Sequence, residues 1–515
     1  MRLRARGCRA AAAAVFALSA ALASPAIAAE RSAKPLKIAL PSLPDARGNP
    51  FISTVPPFTM VIWSIFDPLT QVDLSQPGGA VLPWLASAWE PIDALRWRVK
   101  LREDVRFSNG VPLTADAVVG TLAFVKNQAA AHFGVASEMI FVESARAEDA
   151  HTVIFTLSRP DPLFPRLLSM LPIVEHTSLE RLGIEAFSLA PVGTGPYVAE
   201  RFETTRVLLR ANPNAWKPAP TEAVEMIALG DSAARMQALV SRAVDLSMTI
   251  EPEDAPRVEA IGGRTYLSPI NSVLLLLLRQ TGEADSPLKN RLVRRALNHA
   301  VNRTAIAEAI LGGAVVPAGQ LASPNTLGYD PSLVPAAYDP ALAKRLLAEA
   351  GYPNGFTFTA KVIVGGIMGD AATYQQVAID LAAIGVTMKL ETVPPANLAR
   401  DLRSGEWSSE AMVNSYSADP LLDSLRAMRF NSCLNPATWV CDRTIQPVID
   451  AAFAAEDLAT RETLTRQVIR HYREEEYALL LHSTARLSAL GPRVQSFEAG
   501  GSRIRWDRVV IKDGK

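Results

Sequence analysis

Three cysteines, six histidines and no surplus of either charge are what this 515-residue chain has little of, with Lys plus Arg and Asp plus Glu both at 52. Each shortage excludes something. No basic block and no basic stripe interleaved with aromatics marks a nucleic-acid surface. The histidines are scattered and H-E-x-x-H is absent, as is the G-x-S-x-G elbow of a serine hydrolase. His471 and His482 are eleven apart, about 16.5 Å if helical, too far to share one metal ion. Glu474, Glu475 and Glu476 point three ways on a helix and read as a solvated face. Neither G-x-G-x-x-G nor a Walker A motif occurs, so Gly193 and Gly195 read as a tight turn before a strand and any ATP-driven step belongs to another chain. Val273 to Leu278 is too short to span a bilayer and suits a strand buried on both faces.

What is present begins with an address. Arg2, Arg4, Arg6 and Arg9 form a positive region, Ala10 to Ala23 an apolar one, and Ala26-Ile27-Ala28 a cleavage site, so residues 1–28 are expected to be a signal peptide. No twin arginine occurs there, which favours the general secretory route and a periplasmic destination. Cys8 precedes the apolar region, unlike a lipid-attachment cysteine. Cleavage would leave a mildly acidic chain, 48 bases against 52 acids. With 20% charged residues and no low-complexity tract, the mature chain is expected to fold, into two or three domains. Cys433 and Cys441 then remain. Eight apart with Asn435-Pro436 between them, they fit a disulfide in an oxidising compartment; a metal pair would need two further ligands, and none lies nearby. No metal and no cofactor are expected.

The stretch from Pro287 to Phe356 organises the rest. Leu292, Val293, Ala296, Leu297, Ala300 and Val301 recur at helical spacing, with Lys289, Arg291, Arg294 and Arg295 largely off that face. A second helix starts at the cap Asn302 and stops at Gly312-Gly313. A third is capped by Asp339, with Pro340 at its first position, Leu342, Leu346 and Leu347 as its buried stripe, and Gly351 as its exit. The wording R-x-A-L-N-x-A-V-N-R-x-A-I, then Y-D-P-x-x-A-K-x-L-L-A-E-A-G-Y-P-N-G-F, resembles the extracytoplasmic solute-binding proteins of ABC importers, family 5, the dipeptide and oligopeptide binders. Asn302 stands where that family usually has Asp. Leu82 to Val125 and Pro191 to Trp216 carry the same resemblance.

Elsewhere the pattern is alternating α/β. Strands are expected at Leu36–Leu40, from Trp97 to Leu101, at Val105 and Phe107, at Thr152–Leu157, from Tyr197, at Glu225–Leu229 and at Val244–Leu246, the last in the other half of the molecule. Asn109-Gly110 is a tight-turn pair, and Thr114 should cap the helix Ala115–Val125, although Ala117 removes the capping-box carboxylate. Phe356–Val364, Ala371–Ile384 and Val386–Val393 follow as strand, helix and strand, the parallel α/β signal. Ala411–Tyr416 is a further strand.

The resemblance implies a type II periplasmic-binding-protein fold: two α/β lobes, hinge crossings, and a subdomain inserted in the first lobe. The expected divisions are 36–60 and 185–282 for lobe I, 61–184 for its insert, 283–484 for lobe II, and 485–515 for the return, with a hinge near Leu278 to Pro287. It also implies a non-enzymatic, monomeric clamp that closes on a peptide or peptide-like solute and docks on a permease with its ATPase. In peptide-binding members an aspartate three residues after an aromatic binds the ligand ammonium, and Tyr416-Ser417-Ala418-Asp419 matches. The structural alternative, that Asp419 merely caps the segment after Pro420, is outweighed by the match and by its place at a strand end. Asn414 on the same strand joins the candidate ligand set, as does Trp63, for which a core role is equally open. The family's dipeptide binders hold the ligand carboxylate with an arginine near the strand before the Ala371 helix; here Val364-Gly365-Gly366-Ile367 stands there. That leaves open a solute whose far end is uncharged or longer, or a non-peptide such as an opine, a sugar, haem or a nickel chelate. Presentation to a chemoreceptor and secreted hydrolysis are the readings from other classes.

Overall fold

The computed structural model describes residues 34–52, 58–74, 78–130, 133–282, 285–405, 408–500 and 503–512; the expected signal peptide lies outside them. Ten strands make one sheet. They are β1 Leu36–Leu40, β2 Tyr197–Phe202, β3 Arg206–Ala211, β4 Ala223–Ala228, β5 Leu246–Ser247, β6 Arg264–Leu278, β7 Thr357–Val362, β8 Thr387–Thr392, β9 Ala411–Ser417 and β10 Ala478–Leu490. Their spatial order is β8-β7-β9-β6-β10-β5-β1-β4-β3-β2. A separate four-stranded antiparallel sheet is built from Ala86–Pro91, Arg96–Leu101, Thr152–Leu157 and Val142–Asp149.

The parallel pairs lie where helices cover the sheet. β7 runs parallel to β8, joined through the helix Asp370–Ala382, as the strand–helix–strand pattern predicts. β1 is parallel to both β4 and β5. The segment ending in Leu246, expected in the other half, is therefore a neighbour of the first strand.

Buried apolar side chains fall into two large cores. One takes Leu36, Phe66, Val99, Phe155, Tyr197 and Met226 with the C-terminal Trp506. The other takes Val273 to Leu278, Leu297, Leu347, Val377 and Leu479. Two long strands bridge them. β6 pairs with β10 along almost its whole length, with a register break between Ile270 and Val273. Beyond that break β6 also pairs with β9, from Ser272 to Leu278. The second core begins at Val273, so the passage between cores lies inside β6 and not in the expected loop at 278–287. An all-leucine strand buried on both faces has to be covered by the second core from its first residue. The two leucine-rich pieces Leu479–Leu481 and Leu487–Leu490 belong to one strand, β10.

Three local expectations need correction. Val105 and Phe107 form no strand; among the described residues there is an isolated bridge between Arg106 and Pro112 around the Asn109-Gly110 turn. Thr114 stands at the cap of the helix Ala115–Lys126, but its side chain makes no capping hydrogen bond. Arg294 is not off the buried face of the Arg291–Ala300 helix: it is 3% exposed. Its guanidinium donates to the carbonyls of Leu288, Lys289 and Glu475 and to Gln280 Oε1, which is how an arginine tolerates a core position.

The punctuation of the organising stretch holds. Asn302 Oδ1 accepts from Ala305 N at 3.1 Å and Asp339 Oδ1 from Leu342 N at 2.8 Å. Leu346 and Leu347 are buried, and Leu342 is half-buried against them. Gly193 and Gly195 serve close approach, since a Cβ at Gly193 would sit 2.2 Å from Ile65 O. Cys433 and Cys441 are bonded, closing a loop of eight in sequence separation. Reduction, or Cys433→Ser with Cys441→Ser, should lower stability by about 2–3 kcal/mol, because the unfolded loop gains entropy. Urea titration with and without reductant reads this; coincident curves would show the bond to be energetically idle.

Candidate functional site

Where the bridging strands meet the C-terminal segment there is a cavity of about 270 Å³. Gln71 and Val72 come from the strand Thr70–Asp73, Tyr266, Ser268 and Pro269 from β6, and Arg503 and Arg505 from the chain's return. Pro420, three residues beyond the end of β9, contributes from the side of the second core. Gln71, Arg503 and Arg505 also line a smaller inner compartment of about 50 Å³, walled by Trp63, Trp84, Trp216 and Trp506.

The inner compartment is an aromatic box with two acids in its wall, Asp67 and Asp507. Trp84 and Trp216 meet edge to face at 5.2 Å. Asp67, 5% exposed, accepts from Trp84 Nε1 at 2.6 Å, Trp216 Nε1 at 3.0 Å and Thr194 Oγ1 at 2.9 Å. The Lys217 ammonium lies 3.6 Å from the Trp84 ring centre, and burial pushes its pKa down. These groups fix the indoles rigidly. Trp63 is half-buried in the same wall, with the Arg503 guanidinium 3.7 Å above its ring.

Asp419 sits in the loop leaving β9, part-buried behind Pro420. Its Oδ1 accepts from Asn271 Nδ2 at 2.8 Å and its Oδ2 from Asn271 N at 3.1 Å, so it grips β6 at the register break. Burial raises its pKa, against the pull of Asn271, Arg426 and Arg486. Two of the four or so lone-pair sites of the carboxylate are thereby used.

Asp419 does not itself line either compartment, its neighbour Pro420 does, and the other expected residues of β9 lie elsewhere. Tyr416 is buried in the second core, where its hydroxyl donates to Ser424 O at 2.7 Å and burial drives its pKa well up. Asn414 is half-buried on β9 and accepts from Ser415 N at 2.8 Å. Neither lines the cavity, because β9 turns both away from it before the chain reaches Pro420. Arg503, Gln71 and Asn271 were not singled out from sequence. The alternating Arg503-Ile504-Arg505 was the one available signal for the first. Among the described residues no group of three or more His, Cys, Asp or Glu is placed to hold a metal ion, and no helix is long and apolar enough to cross a membrane.

Two cores hinged on shared strands around a cavity define a solute-binding protein of the two-lobed kind. The chain belongs to the bacterial extracellular solute-binding proteins, family 5, whose middle-region model matches residues 80–435. It is thus the solute-binding type of component that serves ABC importers. A di/tripeptide-binding protein of Pseudomonas aeruginosa is 27% identical over 474 residues, 84% of this chain and 88% of the relative. The glutathione-binding protein GsiB of Shigella flexneri is 30% identical over 272 residues, 52% of each chain. The periplasmic binding protein DppA of Helicobacter pylori, solved with the peptide STSA, superposes with a TM-score of 0.81 at 22% identity, covering 94% of this chain and 99% of that one.

Proposed function

We propose that the protein captures a small peptide or peptide-like solute in the periplasm, by closure of two lobes, and passes it to a membrane permease without any covalent step. The lobes of this reading are the two halves that carry the two cores, with 61–184 inserted in the first, and the chain acts as a monomer. The observation that carries the size class is the cavity of about 270 Å³. Small-ligand sites run about 300–1,000 Å³, so this space suits a solute of two or three residues rather than a long peptide. The names of the di/tripeptide and glutathione-binding relatives support the same range.

In this proposal Asp419, at the C-terminal end of a sheet strand and beside the wall residue Pro420, receives the solute's ammonium on its remaining lone pairs. A charge-assisted hydrogen bond is worth about 1.5–3 kcal/mol, so Asp419→Ala should weaken di- and tripeptide binding about ten- to a hundredfold. Calorimetry with wild type and variant reads it, with circular dichroism as the folding control. Equal affinities in the two proteins would refute the ammonium role. Peptides recovered uncleaved after long incubation would exclude hydrolysis.

A further inference from the structure

The cavity wall carries Asp73 and Glu498 as well as Arg503 and Arg505, and among the described residues Arg503 is in no ion pair. Arg503 lines both compartments, flat on Trp63, and one of its N–H groups donates to Ser169 O. Among the described residues no carboxylate comes within ion-pair distance of it. Its neighbour Arg505 differs, pairing with Asp507 at 3.2 Å and Glu498 at 3.6 Å. Asp67 is the acid whose field reaches Arg503, and three donors already occupy that carboxylate. Burial pushes the Arg503 pKa down to about 9, the mark of a guanidinium taken from water without full compensation. Cation–π contact with Trp63 offsets part of that cost and fixes the plane of the guanidinium. It leaves the guanidinium in the cavity wall without a counter-ion, which is costly unless a ligand brings one.

The segment 364–367 cannot take that role. Its amides at Gly365, Gly366 and Ile367 wrap the Asp370 carboxylate at 3.0–3.1 Å, and Glu251 Oε2 accepts from Gly369 N at 2.7 Å. Those amides already serve carboxylates of the protein and are not free for one from a ligand.

We propose that Arg503, held on Trp63, is the anion subsite of the cleft, and that the solute carries a carboxylate which pairs with it side-on. The inference rests on the small-solute reading above and narrows it to acids. A planar guanidinium with two parallel N–H groups matches a carboxylate, while the carboxamide of the same molecule offers one acceptor oxygen and no charge. Trp63 then contributes to binding by orienting Arg503.

The test uses thermal shift and calorimetry on the full chain with dialanine, trialanine, the C-terminal amide of each, and a set of N-carboxyalkyl amino acids. Wild type should bind the acids about tenfold or more tightly over the amides, and Arg503→Gln should bring that ratio close to one while keeping the fold. Arg503→Lys, which keeps the charge and loses the fork, should restore part of the preference. Acids and amides binding equally to wild type would overturn the carboxylate pairing and leave peptide capture standing. N-carboxyalkyl amino acids binding through Arg503 while no peptide binds would support the subsite and sink the peptide reading. No acid of the panel binding to wild type would overturn the inference outright.

Discussion

Glu138→Ala is expected to drive the two halves apart. Glu138 is 2% exposed, in the helix Gly134–Glu138 on the side of the first core, and its carboxylate pairs with both Arg426 and Arg429, which flank buried residues of the second. Arg426 Nη1 also donates to Asp419 O at 3.0 Å, so the same arginine holds the loop of the candidate site. Removing the acid leaves two guanidinium groups largely out of water without their partner. Breaking a buried pair in this way costs about 3–5 kcal/mol. Because the bond joins the two halves, the loss falls on the closed arrangement rather than on either half alone. X-ray scattering should show an expanded particle even with solute present, and solute affinity should fall by about two orders of magnitude or more. A variant whose scattering and affinity match wild type would show that the closed form does not depend on this pair.

The same residue fixes a pH window. Burial alone would raise the Glu138 pKa, but Arg426 and Arg429 outweigh it and hold it at about 2. A carboxylate whose folded pKa is depressed stabilises fully above its unfolded value, near 4.5, and that contribution is lost as pH falls towards 2. Closure through this pair should therefore persist in mildly acidic buffer. It fails only in strong acid.

Arg303→Met should be the most damaging single change away from the cleft. Arg303 is 4% exposed, and burial lowers its pKa to about 10. Its guanidinium donates to Leu480 O at 2.6 Å and to Asn298 O and Oδ1, both at 2.7 Å, tying the end of the Arg291–Ala300 helix to β10. Methionine fills much of the volume but satisfies none of these acceptors. Each buried acceptor left unpaired costs about 1–3 kcal/mol, so a total near 3–5 kcal/mol is expected. Denaturant unfolding followed by circular dichroism measures it, and a loss under about 1 kcal/mol would mean that water had replaced the arginine.

Local order was open to reading from the chain. The caps Asn302 and Asp339, the glycine exit at Gly351 (φ +90°) and the parallel unit β7–helix–β8 depend on residues a few positions apart, where side-chain chemistry and backbone geometry decide the outcome. The Cys433–Cys441 bond belongs with them. Buried arginine is what local pattern does not reveal. Arg294 and Arg303 look like solvated charges in a helical pattern, and only the carbonyls of distant segments make them core residues.

The sequence by itself determined the family, the alternation of strands and helices, and the strand end on which Asp419 sits. Only the tertiary structure decided what surrounds it. Asn271 reaches Asp419 across 148 positions, and Arg503 lies on Trp63 from the opposite end of the chain. Periodicity and capping act over one or two turns of backbone, whereas these contacts exist only once the folded chain has brought remote segments together.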